Sequence, residues 1–199
     1  MKATTDQETR EDLILDAVDR LLARYGYKKM TVEDVANEAG IGKGTVYLHF
    51  RSKEEVVLSH VDRIVRRLIE QLQTIASDTA PGEQLQEMLL LRVMFRFDAV
   101  QHYTQSISEV LRDLRSALLE RRQRHFAQEA KVLAMVIKDG QQTGAFRRVE
   151  PLATARVLIA ATNSLLPFSL STHELGKRRE VQATATRIAE LLVEGLRQP

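Results

Sequence analysis

The sequence predicts an all-α protein of about nine helices, on three observations. Apolar residues recur at a 3.6-residue spacing in one segment after another, and nowhere do they alternate at the period of two that marks a strand. Only 9 glycines and 4 prolines occur in 199 residues, which suits long helices with few interruptions. Helix-capping pairs, Thr31 with Asp34 and Ser52 with Glu55, stand in front of two of the apolar runs.

The elements follow in order. Residues 1–8 read as a frayed arm, and Thr9 and Asp12 open a helix whose buried face is Leu13, Ile14, Ala17, Val18, Leu21, Leu22 and Tyr25, stopped by Gly26. Thr31 caps a second helix with Val32, Val35, Ala36 and Ala39 on one face, and Gly40 ends it. Ile41 plugs the corner of a short turn. A third helix, Lys43 to His49, spends only Val46 and Phe50 on the interior. Its remaining residues, Lys43, Gly44, Thr45, Tyr47, Leu48 and His49, present an ammonium, bare backbone, a hydroxyl, a phenol, an alkyl group and an imidazole. That set suits base edges, thymine methyls and phosphate oxygens. Lys53, in the first turn of the next helix, opposes the helix dipole and so suggests an anion nearby.

Thr31, Val32, Val35, Ala36, Ala39, Gly40, Ile41, Lys43, Gly44, Thr45, Val46, Tyr47, His49, Phe50, Ser52, Lys53 and Glu54 together resemble the DNA-binding signature of the TetR family of bacterial transcriptional regulators. The resemblance is strong over about residues 9–69 and architectural beyond them. It implies a DNA-binding domain over residues 1–52 and a ligand-binding and dimerisation domain over 53–199. Carried over residue by residue, it implies that Lys43, Gly44, Thr45 and Leu48 face base edges and that Thr31, Tyr47, His49 and Lys53 hold phosphates. Leu48 departs from the larger aromatic or polar residue often found at its position, which leaves its base preference open.

Beyond Lys53, one uninterrupted helix carries Val57, Val61, Ile64, Leu68, Leu72 and Ile75 towards Ala76. It crosses the domain boundary and is a candidate transmitter. Ser77 to Gly82 is a breaker cluster. Glu83 to about Gln101 then holds Leu85, Met88, Leu89, Leu91, Met94, Phe95 and Phe97, followed by a bend around His102 to Gln105. A helix from Ser106 either breaks near Leu119 or runs on to Gly140. Glu150-Pro151 opens a very apolar helix, Leu152 to Phe168, and Lys177 to Leu196 forms the last one.

Composition excludes several classes. The absence of cysteine rules out disulfides and thiolate metal sites. The five histidines never pair at i, i+4, and no glycine-rich phosphate loop occurs, so no cofactor, metal or catalytic residue is expected and the chain does not read as an enzyme. The longest apolar run, Val132 to Ile137, is too short to span a membrane, and the first dozen residues show no signal peptide, so a cytoplasmic protein is expected. A net charge of +2 points only weakly to nucleic acid, but placement says more: Arg24 to Lys53 carries six basic and three acidic residues.

Met88, Met94, Phe95, Phe97, His102, Tyr103, Phe126 and Met135 either pack a core or line a cavity, and the resemblance implies an effector pocket there. The nearby Arg92, Arg96, Asp98, His102 and Glu109 do not select the charge of such an effector. Arg121, Arg122, Arg124 and His125 read as a solvated face. The family pairs its last two helices with their symmetry mates, which implies a homodimer interface at Leu158, Thr162, Leu165, Val181, Ile188 and Leu192. The expected partners are thus double-stranded operator DNA, a small-molecule effector and a second copy of the chain. A helical DNA-binding or interaction protein without a small-molecule switch is the alternative.

Overall fold

The computed structural model describes residues 2–75, 79–100, 109–110, 112–166 and 176–198, with the backbone alone for 2–9 and 100. Among the described residues there are eight α-helices and no strand. Their contacts divide the chain into two compact units, Met1–Ile64 with His102–Leu119 and Val65–Gln101 with Glu120–Pro199.

In the first unit, α1 (Lys2–Lys29) begins before the expected Thr9, since no glycine or proline interrupts residues 2–25. Gly26, at φ 78° and ψ 169°, leaves helical geometry for one residue, and this break turns Tyr27 and Met30 into the core. Leu13 and Tyr25, expected to be buried, stand exposed at the edge of an apolar stripe wider than the face that is covered; Leu15 is buried in addition. The helix α2 (Val32–Ala39) packs on α1 and on α3 (Lys43–His49). Thr31 caps α2 reciprocally with Asp34. Gly40 takes the left-handed conformation, φ 69°, that closes the helix, and Ile41 N–H bonds back to the Ala36 carbonyl.

The helix α4 (Lys53–Thr74) starts with Glu55 N–H donating to Ser52 Oγ, while the Glu55 carboxylate accepts from Arg51 N–H rather than from Ser52. Val56, Val57 and Leu58 of α4, with Val110, Leu114 and Leu118, complete the first core. This packing unit therefore reaches beyond residues 1–52. Buried Arg63 ties α4 to α1 by donating to the Asp16 carboxylate at 2.7 Å and to the Asp12 carbonyl at 3.1 Å.

The second unit holds the rest of α4, α5 (Pro81–Val100), most of α6 (Arg115–Gln142), α7 (Pro151–Thr162) and α8 (Arg178–Glu194). Within it α5 packs along α8. Of the two alternatives, a break near Leu119 or a run on to Gly140, α6 takes the second: after a bend at Leu114 it runs unbroken through Gly140. The Phe146 ring lies against Gly140 so closely that a Cβ there would come within 2.1 Å of it. Glu150 caps α7 by accepting from Leu152 and Ala153 N–H groups. That helix ends at Thr162, short of the expected Phe168, and passes through a 3-10 turn, Asn163–Leu165, into extended Leu166, as befits a residue before proline. His102, Tyr103, the bend at 102–105 and nearly all of the loop at 169–176 lie outside the described residues.

Candidate nucleic-acid interface

The third helix is built to expose rather than to bury. Val46 is fully buried and Phe50 nearly so, which pins α3 against the first core. Leu48 is 84% exposed and Tyr47 48% exposed, and neither belongs to the first core. An exposed leucine beside an exposed tyrosine on a two-turn helix is costly surface unless something covers it. Gly44 is open: a Cβ would meet nothing within 4 Å, so its missing side chain serves no internal packing and leaves room for close approach from outside. Lys43 makes only a solvent-exposed ion pair to Glu33 at 3.4 Å, which is readily exchanged. Thr45 is half-buried one turn along.

Three of the four residues expected to hold phosphates are already engaged inside the chain. Thr31 Oγ1 donates to Asp34 Oδ2 at 2.7 Å and accepts from Asp34 N–H; the first of these bonds, with Thr31 N–H donating to the same carboxylate oxygen, holds the Asp34 carboxyl below its usual range. His49 Nδ1 lies 3.3 Å from Glu11 Oε1, and its ring is almost wholly covered, so it braces α3 against α1. Lys53 Nζ donates to the Tyr27 carbonyl at 3.0 Å and sits 4.3 Å from the centre of the Tyr27 ring. The cation in the first turn of α4 thus answers the end of α1 without an external anion. Burial, followed by Glu54, pushes the Tyr27 hydroxyl up to about 12. Tyr47 remains as the free, exposed member of the set. Lys29 and Arg51 are exposed and, among the described residues, without an ion-pair partner; the Lys28-Lys29 run just before the Thr31 cap was the signal for the first of them.

The expected pocket residues only partly converge. Met94 and Phe97 share one apolar cluster with Val93 and Leu166, Phe126 packs against it, and Met88 and Phe95 belong to the neighbouring cluster. Met135 is 53% exposed on another face of α6 and lines no interior space. Between these clusters lies a buried ionic network that the sequence did not signal as such. Arg92 Nε donates to Glu129 Oε2 at 2.9 Å, and its other nitrogens reach Thr162 Oγ1 at 2.5 Å and Asn163 Oδ1 at 2.8 Å. Arg96 forks onto both Glu129 oxygens at 2.6 and 3.1 Å. The i, i+4 spacing of Arg92 and Arg96 on α5 was its legible part.

Of the residues expected at a dimer interface, Thr162 is an acceptor for Arg92, and Leu158 and Val181 are buried in the chain's own clusters, with Leu158 also bordering the groove lined by Val157 and Leu191. Leu165, Ile188 and Leu192 are half-buried. The outward apolar residues of α7 and α8 are Val157, 62% exposed, and Leu191, 59% exposed. Both line an open groove of ≈ 490 Å³ with Ala153, Leu192 and Gly195.

A capped helix, a left-handed glycine turn and a second helix that displays its side chains define a helix-turn-helix DNA-binding protein. Residues 14–59 match the bacterial regulatory proteins of the tetR family, and residues 81–189 match the tetracyclin repressor-like C-terminal domain. The chain belongs to the TetR family of transcriptional regulators. It is 25% identical over 187 residues to a fatty acid metabolism regulator protein of Bacillus subtilis, covering 92% of this chain and 93% of that one. It is 29% identical over 147 residues to an HTH-type transcriptional repressor of Mycobacterium tuberculosis, covering 70% of each. Among solved structures, a fatty acid degradation regulator of Bacillus halodurans superposes with a TM-score of 0.70 at 20% identity, over 96% of this chain and 97% of that one, which speaks for the fold. Among the described residues, no helix is long and apolar enough to cross a membrane.

Proposed function

We propose that this regulator reads a palindromic operator as a homodimeric repressor and releases it when a small molecule binds in the second unit. The observation that carries the DNA reading is the display on α3, where Leu48 and Tyr47 are exposed and Gly44 is open. Lys43, Gly44, Thr45 and Leu48 read bases. Tyr47, with Lys29 and Arg51, meets phosphates, while Thr31, His49 and Lys53 hold α2, α3 and α4 in place and offer phosphates their backbone surroundings rather than free side chains. All the reading residues lie within 1–52, the segment assigned to DNA.

The second copy docks on the groove lined by Val157, Leu191 and Leu192, because a two-fold dimer presents two recognition helices to successive turns of one DNA face. Both α4 and α6 begin in the first unit and continue in the second, so two rigid helices, not one, are placed to carry a change from effector to DNA. The relative that regulates fatty acid metabolism covers nearly the whole chain and makes acyl amphiphiles the first compounds to screen. The test is selection of bound sequences from random duplexes, followed by a competition assay for release. A single palindrome, lost on Lys43→Ala, is the expected outcome. Binding that is strong yet indifferent to sequence would instead favour an architectural DNA-binding protein without a switch.

A further inference from the structure

The basic stretch from Arg24 to Lys53 contains three acidic residues, all on α2, and two of them serve the fold. Asp34 closes the capping box with Thr31, and Glu38 receives Arg20 at 2.6 Å and Arg24 at 3.6 Å. Glu33 has neither task. Its side chain is 68% exposed, and its one partner among the described residues is Lys43 of α3, whose Nζ donates to Oε2 at 3.4 Å. Glu33 Oε1 accepts no hydrogen bond among the described residues, and the ammonium keeps two further N–H groups.

In water such a pair contributes little to stability. Against DNA it constrains the lysine. An ammonium on a flexible stem is drawn to phosphate oxygens, which carry no sequence information. Leaving Glu33 for a phosphate would strand a carboxylate beside a polyanion, so the pair keeps the ammonium at the base edges. Across the major groove a G·C pair presents two acceptors, guanine N7 and O6, and then a donor, the cytosine N4 amino group. The ammonium suits the first two and the carboxylate the third. An A·T pair reverses this order, with the adenine N6 amino group in the middle against the ammonium and thymine O4 at the end against the carboxylate.

We infer that Glu33 is a specificity-determining residue: with Lys43 it reads one G·C pair, accepting from the cytosine amino group while it keeps the lysine on guanine. This rests on the reading that Lys43 faces a base edge, and it adds an acid from α2 to a reading set otherwise confined to α3.

The test is sequence selection from random duplexes, followed by binding titrations between about 50 and 200 mM salt, on the full-length protein and on Glu33→Ala, Glu33→Asp and Lys43→Ala. The unmodified protein selects one G·C pair in each half-site that Lys43→Ala no longer selects. Glu33→Ala discriminates against A·T at that position at least about fivefold less. It also binds random duplex more tightly, and its slope of log K against log salt steepens by about 0.9 per half-site as Lys43 moves to a phosphate. Glu33→Asp keeps the unmodified salt slope and part of the discrimination. An unchanged preferred sequence and salt slope in Glu33→Ala, with the G·C pair lost in Lys43→Ala, leaves Lys43 as a reader and reduces Glu33 to an acid that favours the α2 dipole, which overturns the inference. So does selection of A·T at the position that Lys43→Ala relaxes. A Glu33→Ala protein that melts more than about 4 °C lower with an unaltered slope makes Glu33 a structural residue and overturns it too. Unchanged selection in Lys43→Ala removes the underlying reading, and the inference with it.

Discussion

At the scale of single residues, Glu129 is fully buried in the second unit between the guanidiniums of Arg92 and Arg96. Burial pushes its carboxyl up, but Arg96 and then Arg92 outweigh burial and leave it below the ordinary value. Replacing it by glutamine strands two buried guanidiniums, so Glu129→Gln is expected to cost about 3–5 kcal/mol, read by urea unfolding. The pH dependence has a definite sign. A carboxyl depressed in the folded state contributes stability that is present above its unfolded pKa, about 4.3, and is lost as pH falls through the folded value. The unmodified protein therefore loses stability more steeply below about pH 4.3 than Glu129→Gln does; parallel acid limbs for the two proteins would show that the carboxylate is not the group that titrates. In the first unit, Lys43 and Lys53 have the same chemistry but different partners. Lys53→Ala removes a hydrogen bond and a ring contact and lowers the melting temperature, with DNA affinity falling equally for every sequence. Lys43→Ala leaves stability unchanged and relaxes the preferred sequence, since a good base contact is worth about 1–3 kcal/mol of discrimination. An unaltered preferred sequence in Lys43→Ala would remove it from the reading set.

At the scale of elements, closure of the α6 to α7 turn depends on one glycine. Phe146 N–H donates to the Gly140 carbonyl at 3.0 Å while its ring occupies the place of a Cβ. Gly140→Ala therefore forces the ring out of the second core and destabilises by a few kcal/mol in spite of alanine's better helix propensity. Phe146→Ala costs about 3–5 kcal/mol, and the double variant costs clearly less than the sum, because the clash is gone once the ring is gone. Strict additivity in a thermal-melt cycle would refute this coupling. The same turn shows what was legible in the sequence. The Thr31–Asp34 capping box, the Gly40 stop, the buried Val46 and the start of α7 at Pro151 depend on neighbours within a few residues, and each can be read locally. What could not be read locally is which groups the folded chain brings together, such as Arg92 reaching Thr162, seventy positions away at the end of α7. For the same reason, the family resemblance marked Lys53, His49 and Thr31 as phosphate ligands, although Tyr27, Glu11 and Asp34 already engage them.

At the scale of the whole molecule, function requires two recognition helices at a fixed separation of about 34–36 Å, or a multiple of it, so the surface that joins two copies matters as much as the surface that reads DNA. Helix periodicity turns Leu158 about 100° away from Val157: both border the groove, but Leu158 is buried at 2% exposure in the second core and Val157 stands 62% exposed. A glutamate at each position therefore gives different outcomes. Leu158→Glu buries an unpaired carboxylate in the second core and unfolds the protein or lowers its melting temperature sharply. Val157→Glu or Leu191→Glu leaves the fold and its melting temperature intact, since both positions are solvated in the single chain. In a two-fold dimer, however, each of these substitutions places two like charges at one interface, and the protein becomes a monomer. Operator affinity then falls to that of a single half-site, while the base preference within the half-site is kept, because α3 is untouched. Light scattering at micromolar concentration, paired with binding to full and half operators, checks both parts. A Val157→Glu protein that remains dimeric with undiminished operator affinity would place the interface on another face of the molecule.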